Sequence, residues 1–94
     1  MLSLPAKQLF DFLVKEDAIV FFHKRDALWE DQLRNIPNLR CQSVSVEIKN
    51  KEDAEFIQIC KIPQIRVYKK QIEAASFVGV ASPEDIKKLT EFLL

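Results

Sequence analysis

Cysteine, histidine and glycine are scarce in this sequence, and the shortage of the first two excludes most kinds of metal site. The chain of 94 residues has one histidine, one glycine and two cysteines, Cys41 and Cys60. The cysteines are nineteen positions apart, which is neither a Cys-x-x-Cys motif nor a zinc-binding pattern. We therefore expect no metal ion and no cofactor, and we predict two reduced, largely structural thiols.

An excess of charge is also absent. Fourteen basic side chains balance fourteen acidic ones. Because nucleic acids and anionic membranes both need a basic surplus on at least one face, we expect neither as a partner, although a local basic patch is compatible with this composition. No apolar run approaches the roughly 20 residues that cross a bilayer, and residues 1–5 lack the features of a secretory signal. The sequence predicts a cytoplasmic protein with one small domain over residues 1–94.

The first two thirds of the chain alternate between helical and strand-like hydrophobic patterns. Asp26 and Asn50 are expected helix N-caps, and Pro37 and Pro63 must follow helix ends because the residue before proline avoids the helical region. The elements that these signals predict are helices over residues 5–16, from Asp26 to before Pro37 and from Asn50 to before Pro63, with strands over residues 18–23 and 40–48.

Each predicted helix has an apolar stripe that we expect to be buried. The stripes are Leu9, Phe12 and Leu13 in the first helix, Trp29, Leu33 and Ile36 in the second, and Phe56, Ile57, Ile59 and Cys60 in the third. The basic side chains later in the chain, Arg66 among them, are expected to be solvated.

The last third of the chain predicts a β-hairpin and a final helix. Residues 64–68 and 72–78 are β-rich and are separated by a short link, which indicates an antiparallel pair. The link has no glycine, so we expect a turn without positive φ angles or a strained turn. Gly79 follows the second strand and suggests a bulge or a close backbone approach. Ser82 begins the last helix, with proline at its first position and an acid at its third. The expected inner face of this helix is Ile86, Leu89, Phe92 and Leu93.

The predicted order is therefore α-β-α-β-α-β-β-α. Strands joined through a helix are expected to be parallel with a right-handed crossover, and the closing hairpin adds antiparallel strands. This predicts an α/β fold with a mixed four-stranded sheet and helices on both faces. Residues 1–4 are a possible short extra strand at the N-terminus.

Four segments of the chain resemble the thioredoxin fold family. Residues 18–22 match its central strand, Ile62-Pro63 matches its Ile-Pro with a cis proline, Val78-Gly79-Val80 matches its Val-Gly-Ala, and residues 82–93 match its last helix. The resemblance spans roughly residues 5–93 and implies the thioredoxin-like architecture.

The catalytic motif of that family has no counterpart here. Residues 25–29 read Arg-Asp-Ala-Leu-Trp where the family has Trp-Cys-Gly-Pro-Cys, and Val20 stands near the position of its buried acid. Thiol–disulfide exchange needs a thiolate at the helix N-terminus and a second thiol one turn later. The resemblance therefore implies a divergent, redox-inactive member, in which Asp26 is a helix cap and no residue is catalytic.

The resemblance also implies a role in binding, because thioredoxins hold an extended peptide beside the cis proline, with main-chain pairing as in β-augmentation. We expect a protein or peptide partner. The expected contact residues are Lys24, Arg25, Asp26, Ile62, Pro63 and Gly79. Two alternatives stay open: a structural subunit of a larger assembly, and a one-cysteine protein that reacts with thiols or glutathione through Cys60.

His23 lies just before the segment that replaces the motif, and Trp29 is the last residue of that segment. His23 follows the central strand, and an acid–base role is conceivable, but a lone histidine without a nucleophile is expected to be a surface residue. Trp29 is expected in the core. Cys60 is expected to pack on the third helix.

Overall fold

The computed structural model describes residues 1–94 and contains five strands and four α-helices. In chain order they are β1 (Leu2–Leu4), α1 (Leu9–Leu13), β2 (Ala18–His23), α2 (Ala27–Asn35), β3 (Ser43–Glu47), α3 (Lys51–Ile57), β4 (Gln64–Lys69), β5 (Ile72–Val78) and α4 (Pro83–Thr90). A 3-10 turn over Ala6–Gln8 precedes α1, and another over Glu91–Leu93 follows α4. No helix is long and apolar enough to cross a membrane.

The strands form one mixed sheet in the order β1-β3-β2-β4-β5. β3 is parallel to both β1 and β2, whereas β4 is antiparallel to β2 and β5 is antiparallel to β4. This confirms the predicted mixed sheet. The sheet has a fifth strand because Leu2–Leu4 pairs with Val44–Val46, and this is the extra N-terminal strand that the sequence left open.

Helices cover both faces of the sheet, and each face has its own core. Leu9 and Leu13 of α1 pack with Ile57 of α3 in a cluster of 12 buried residues on one face. Ile86 and Leu89 of α4 belong to a cluster of 7 buried residues on the other face. All six residues of β2 are buried, as expected for a strand covered on both sides.

The N-terminal helix and β3 are shorter than predicted. The first helical segment begins as a 3-10 turn and its α-helical part ends at Leu13, not at residue 16. β3 covers residues 43–47, not 40–48. Ser45 of this strand is 6% exposed, and its hydroxyl lies 2.9 Å from that of Ser3 in the neighbouring strand β1.

Three predicted apolar stripes are partly wrong. In α2 the buried residue is Gln32, and Leu33 is 46% exposed. In α3 Phe56 is 45% exposed, and its ring packs against the partly exposed Phe10, with centroids 5.8 Å apart. Phe92, after α4, is 53% exposed. A polar side chain can occupy a core position when its hydrogen bonds are satisfied, and hydrophobic periodicity does not detect this case.

Of the two turns that the sequence left open for the β4–β5 hairpin, the structure has the strained one, with positive φ angles. Lys70 and Gln71 form a two-residue turn with φ angles of 52° and 70°, which is the signature of a type I′ turn. The Lys70 N–H donates a 2.8 Å hydrogen bond to the Asp17 carboxylate. Asp17 precedes β2, so this bond closes the amino end of the central strand.

The start of α4 is as predicted. The Ser82 hydroxyl accepts a hydrogen bond from the Asp85 N–H at 3.1 Å, and the Asp85 carboxylate accepts one from the Ser82 N–H at 3.5 Å. Pro83 is the first residue of the helix. This reciprocal pair is a capping box, which satisfies two main-chain donors that a helix start leaves free.

Candidate functional site

Four segments meet at one end of the sheet. In the strand register, Phe22 near the end of β2 lies beside Val46 near the end of β3 and Gln64 at the start of β4, and Gln64 lies beside Val78 at the end of β5. The carboxyl ends of strands are where α/β folds commonly bind ligands. We refer to this side as the carboxyl end of the sheet.

A cleft of about 670 Å³ opens at the carboxyl end, and we call it the carboxyl-end cleft. Its wall combines the loop after β2, the β3–α3 junction and the segment after α3. The lining residues are Lys24, Glu47, Ile48, Lys49, Asn50, Lys51, Ala54, Ile59, Cys60 and Ile62. The cleft therefore has an apolar floor and a mostly basic rim.

Cations outnumber carboxylates around the cleft. Lys24 and Lys49 form no ion pair. Lys51 makes only an exposed contact at 3.8 Å to Glu55. Glu47 is the one acidic lining residue, and its carboxylate lies 3.8 Å from the Arg25 guanidinium. The rim is thus a local basic patch on a chain whose net charge is zero.

Cys60 is exposed in the cleft, so the prediction that it packs on the third helix is wrong. α3 ends at Ile57, and Gln58 adopts a left-handed conformation with φ of 60°. The chain turns there, which buries Ile59 and directs Cys60 outward. Cys41 is half-buried at the other face, and burial raises the pKa of its thiol. Both cysteines are free.

Ile62, Pro63 and Gly79 form one corner of this end. The Ile62–Pro63 peptide bond is cis, and the Gly79 N–H donates a 2.9 Å hydrogen bond to the Pro63 carbonyl. The half-buried Ile62 side chain packs against the larger core cluster. No group of the protein forms a hydrogen bond with the N–H or C=O of Ile62. The main chain at Ile62 is therefore free to pair with an added strand.

Gly79 is explained by its backbone conformation. Its φ of 103° is rarely adopted by residues with a side chain, and no atom lies within 4 Å of the position that a Cβ would take. The expected close approach is therefore wrong. The register irregularity of the hairpin lies between Val67 and Tyr68, not at Gly79.

The predicted contact residues Arg25 and Asp26 lie in the loop beside the cleft but do not line it. The Asp26 carboxylate accepts a hydrogen bond from the Trp29 N–H at 3.1 Å, so Asp26 is the cap of α2, as predicted. Arg25 has a left-handed φ of 57°. It lines a smaller cavity of about 230 Å³ with His23, and Glu47 lies between the two cavities. Of the predicted residues, the structure brings Lys24 and Ile62 together in the carboxyl-end cleft.

His23 is buried, so the prediction of a surface histidine is wrong. It is the last residue of β2 and is 5% exposed, because the Trp29 ring stacks on it at 4.0 Å with an interplanar angle of 6°. Burial lowers the pKa of His23, Arg25 lowers it further, and Glu47 and Asp26 oppose the shift. Its Nδ1 accepts the Arg25 N–H at 3.0 Å, so the neutral ring carries its proton on Nε2. Trp29 packs against the smaller core cluster, as predicted.

Arg66 supports the wall of the cleft, although the sequence suggested a solvated side chain. Its side chain is 12% exposed and donates to the carbonyls of Ile57 and Gln58 at 3.3 and 3.0 Å. It also forms an ion pair with Glu73 at 2.9 Å and a hydrogen bond to the Tyr68 hydroxyl at 3.2 Å. Arg66 thereby holds the end of α3 that leads into Cys60.

Gln32 fixes the loop after Gly79 to α2. Its side-chain amide donates to the Ala81 carbonyl at 3.1 Å, and its side-chain oxygen accepts the Ala81 N–H at 2.7 Å. Asn35 donates to the same carbonyl at 3.1 Å. A glutamine that mimics a strand partner in this way satisfies a buried peptide group completely.

The chemistry available at the carboxyl end is recognition by main-chain pairing, charge and one thiol. No group of three histidine, cysteine, aspartate or glutamate side chains is close enough together to hold a metal ion. The basic residues of the β3–α3 junction, Lys49 and Lys51, were missed in the sequence. The predicted topology could have indicated these two lysines, because the parallel strands β2 and β3 must bring their carboxyl ends to the same side of the sheet.

This architecture is the thioredoxin-like fold. Solved thioredoxins superpose on almost the whole chain at low identity. Chlamydomonas reinhardtii thioredoxin f2 has a TM-score of 0.78 and 20% identity over 97% of this chain and 94% of its own. Fasciola hepatica thioredoxin has a TM-score of 0.71 and 17% identity over 98% of this chain and 99% of its own. A cysteine-to-serine mutant of Entamoeba histolytica thioredoxin has a TM-score of 0.70 and 19% identity over 97% of each chain. No protein-family model and no curated protein matches the sequence.

Proposed function

We propose that this chain is a redox-inactive thioredoxin-like module that binds an extended segment of another protein across the carboxyl-end cleft. The observation that carries the proposal is the free N–H and C=O of Ile62 beside an open cleft. An added strand would pair with these groups and place its side chains on the half-buried Ile62 and against the loop that holds Lys24. Main-chain hydrogen bonds would supply affinity, and the lining side chains would supply selectivity.

The loss of redox chemistry is supported by the residues at the start of α2. The helix begins with a capping carboxylate, Asp26, and the next residues are Ala27 and Leu28. A carboxylate does not exchange disulfides, and no second thiol lies one turn later. Two free thiols suit a reducing compartment, and we propose a cytoplasmic location.

Peptide selection tests the binding proposal. Peptides of about ten residues are selected from a random display library on the native protein, and their affinities are measured by isothermal titration calorimetry. We expect the double variant Ile62→Ala/Arg25→Ala to weaken binding about tenfold or more, because it removes apolar contact at the pairing position and a loop cation. The matched control is Ile72→Ala/Arg34→Ala, which changes an exposed isoleucine and an exposed arginine away from the cleft.

Unchanged affinity in the Ile62→Ala/Arg25→Ala variant, with both double variants folded by circular dichroism, would contradict the proposed binding surface. A failure to select any peptide would contradict it as well.

A disulfide-reduction assay tests the loss of redox activity. With dithiothreitol as the reductant and insulin as the disulfide substrate, we expect the protein to leave the rate of precipitation at that of dithiothreitol alone. Acceleration that disappears in Cys60→Ser would instead establish the one-cysteine alternative.

That alternative rests on the exposure of Cys60 in the cleft. It predicts that oxidised glutathione forms a mixed disulfide with Cys60 faster than with an unstructured cysteine peptide of the same local sequence. Mass spectrometry measures both rates, and equal rates would leave Cys60 with no special reactivity.

A further inference from the structure

We infer that the carboxyl-end cleft selects acidic segments, so that the partner is an extended peptide with aspartate or glutamate on either side of the residue that pairs with Ile62. This inference rests on the proposed binding function and adds the chemical class of the partner.

The charges that line the cleft carry the inference. Lys24, Lys49 and Lys51 line it from the loop after β2, the β3–α3 junction and the start of α3. Lys24 and Lys49 have no carboxylate partner. Glu47 is the only carboxylate among the lining residues.

The single carboxylate in the cleft does not offset these lysines. Glu47 lies 3.8 Å from Arg25, a cation that belongs to the neighbouring small cavity. Lys61, next to Cys60 in sequence, also forms no ion pair. The lining residues therefore comprise three lysines and one glutamate in a chain whose net charge is zero.

The shape of the site strengthens the effect of the charges. A cleft with low-dielectric walls concentrates the field of its lining charges and raises the association rate of an oppositely charged ligand by roughly 10- to 1,000-fold. Ile48, Ile59 and Ile62 provide the apolar walls. An isolated lysine on a flat surface loses most of this effect to solvent screening.

The exposed thiol of Cys60 provides a reporter inside the cleft. In a Cys41→Ser background, the rate of Cys60 is measured with a dianionic disulfide, 5,5′-dithiobis(2-nitrobenzoate), and with a neutral one, 4,4′-dithiodipyridine. In each reaction the Cys60 thiolate attacks one sulfur of the reagent, a mixed disulfide forms, and an aromatic thiolate leaves with the electron pair. The ratio of the two rates cancels any change in the amount of thiolate.

We expect the anion-to-neutral ratio to fall about tenfold in Lys24→Glu/Lys49→Glu and to fall when the salt concentration is raised from about 0.02 M to about 0.5 M. The matched control is Lys87→Glu/Lys88→Glu, which makes the same charge change on exposed residues of α4. A ratio that is independent of salt, or that changes equally in both double variants, would overturn the inference.

Peptides test the partner class directly. Two nine-residue peptides share a central cysteine, activated as the 2-pyridyl disulfide, and carry either four glutamates or four lysines around it. Cys60 attacks the peptide sulfur, the Cys60–peptide disulfide forms, and 2-thiopyridone leaves. We expect the acidic peptide to react about tenfold faster, and Lys24→Glu/Lys49→Glu to reverse the order. Equal rates, or a faster basic peptide with the native cleft, would overturn the inference.

The inference and the proposed function fail in different ways. If selected peptides depend on Ile62 but show no acidic preference, the binding function stands and the inference fails. If the acidic preference is present but Ile62→Ala/Arg25→Ala does not weaken binding, the charge selectivity of the cleft stands and the proposed binding surface at Ile62 fails.

Discussion

The two ends of the sheet differ in whether their polar groups have partners within the protein. At the amino end of β2, polar groups satisfy one another: the Lys70 N–H binds the Asp17 carboxylate at 2.8 Å, and the Lys69 ammonium binds the Leu94 main-chain oxygen at 2.8 Å. At the carboxyl end, Lys24 has no ion-pair partner and the main chain of Ile62 has no hydrogen-bond partner. We call the amino end, where the polar groups are paired, the closed end, and the carboxyl end, where they are unpaired, the open end. The unpaired groups of the open end are available to a ligand.

The open end nevertheless has a rigid frame. Arg66 fixes the end of α3, and Gln32 fixes the loop after Gly79, each through two hydrogen bonds to main-chain groups. The carboxyl end thus leaves surface groups without partners although side chains hold its main chain in place. Substitutions at each end test this difference.

The largest effect is expected for Arg66→Met. Methionine fills similar space but leaves the Ile57 and Gln58 carbonyls and the Tyr68 hydroxyl without their donor. Removing one partner of a buried charge network costs about 3 kcal/mol, so the free energy of unfolding in urea should fall by about that amount.

Arg34→Met is the matched control for this experiment. Its side chain is 72% exposed and pairs with Asp31 within α2, so its loss should cost about 0.3 kcal/mol. Urea unfolding of both variants is monitored by circular dichroism. Equal losses of unfolding free energy in the two variants would show that Arg66 does not support the cleft wall.

The second largest effect is expected for Gln32→Leu. Leucine suits a helix stripe but leaves the Ala81 N–H without its acceptor, which costs about 2 kcal/mol. Amide hydrogen exchange at Ala81 should accelerate accordingly. The neighbouring change Leu33→Gln should alter the free energy of unfolding by no more than about 0.5 kcal/mol, because Leu33 is already 46% exposed.

Hydrophobic periodicity alone predicts the reverse order for Gln32 and Leu33, and this pair shows where sequence reasoning fails. Strands β2 to β5, the caps Asp26, Asn50 and Ser82 and the mixed sheet follow from local patterns, and they were predicted. The burial of Gln32 depends on Ala81, 49 positions away. The burial of His23 and Arg66 depends on contacts with another element, Trp29 of α2 and the end of α3, and no local pattern reports such contacts.

The candidate site was predicted in part for the same reason. Lys24 and Ile62 lie next to signals that are visible in the sequence, the end of a buried strand and an Ile-Pro pair. Lys49 and Lys51 required the register of two parallel strands. The outward direction of Cys60 depends on the left-handed Gln58, which has no glycine or asparagine to reveal it.

The third effect is a pH dependence confined to the carboxyl end. Because the folded pKa of His23 lies below its ordinary value of 6.5, the unfolded chain binds the proton more readily. Stability is therefore fully present above about pH 6.5 and is lost as the pH falls from there through the folded pKa, by at most about 1.4 kcal/mol for each pH unit.

His23→Asn is the variant that isolates this effect. The asparagine side-chain oxygen can still accept the Arg25 N–H but does not titrate. Urea unfolding at pH 7 and pH 5.5 should show a smaller difference for this variant than for the native protein. An equal difference in both proteins would assign the pH dependence to other groups.

The smallest effect is a gain in stability at the closed end. Lys70→Asn/Gln71→Gly places the preferred type I′ pair at the two left-handed positions, and the free energy of unfolding should rise by about 1 kcal/mol. The anion-to-neutral ratio of Cys60 should stay unchanged, because the turn is at the opposite end of β2.

Arg25→Gly makes the corresponding change at the open end. The change removes the backbone strain of a non-glycine residue with a left-handed φ of 57°. It also leaves Glu47 without its neighbouring cation. The Cys60 ratio should therefore fall. A fall of the same size in the turn variant would show that the two ends are not independent.

The contact between His23 and Trp29 gives the molecule an optical reporter. These are the only histidine and the only tryptophan of the chain, and their rings are stacked 4.0 Å apart. An imidazolium quenches excited indole by accepting an electron, whereas neutral imidazole does so far less. The emission of the unlabelled protein should therefore dim as His23 gains a proton, and any ligand that moves the loop after β2 should change the emission lifetime without added dye.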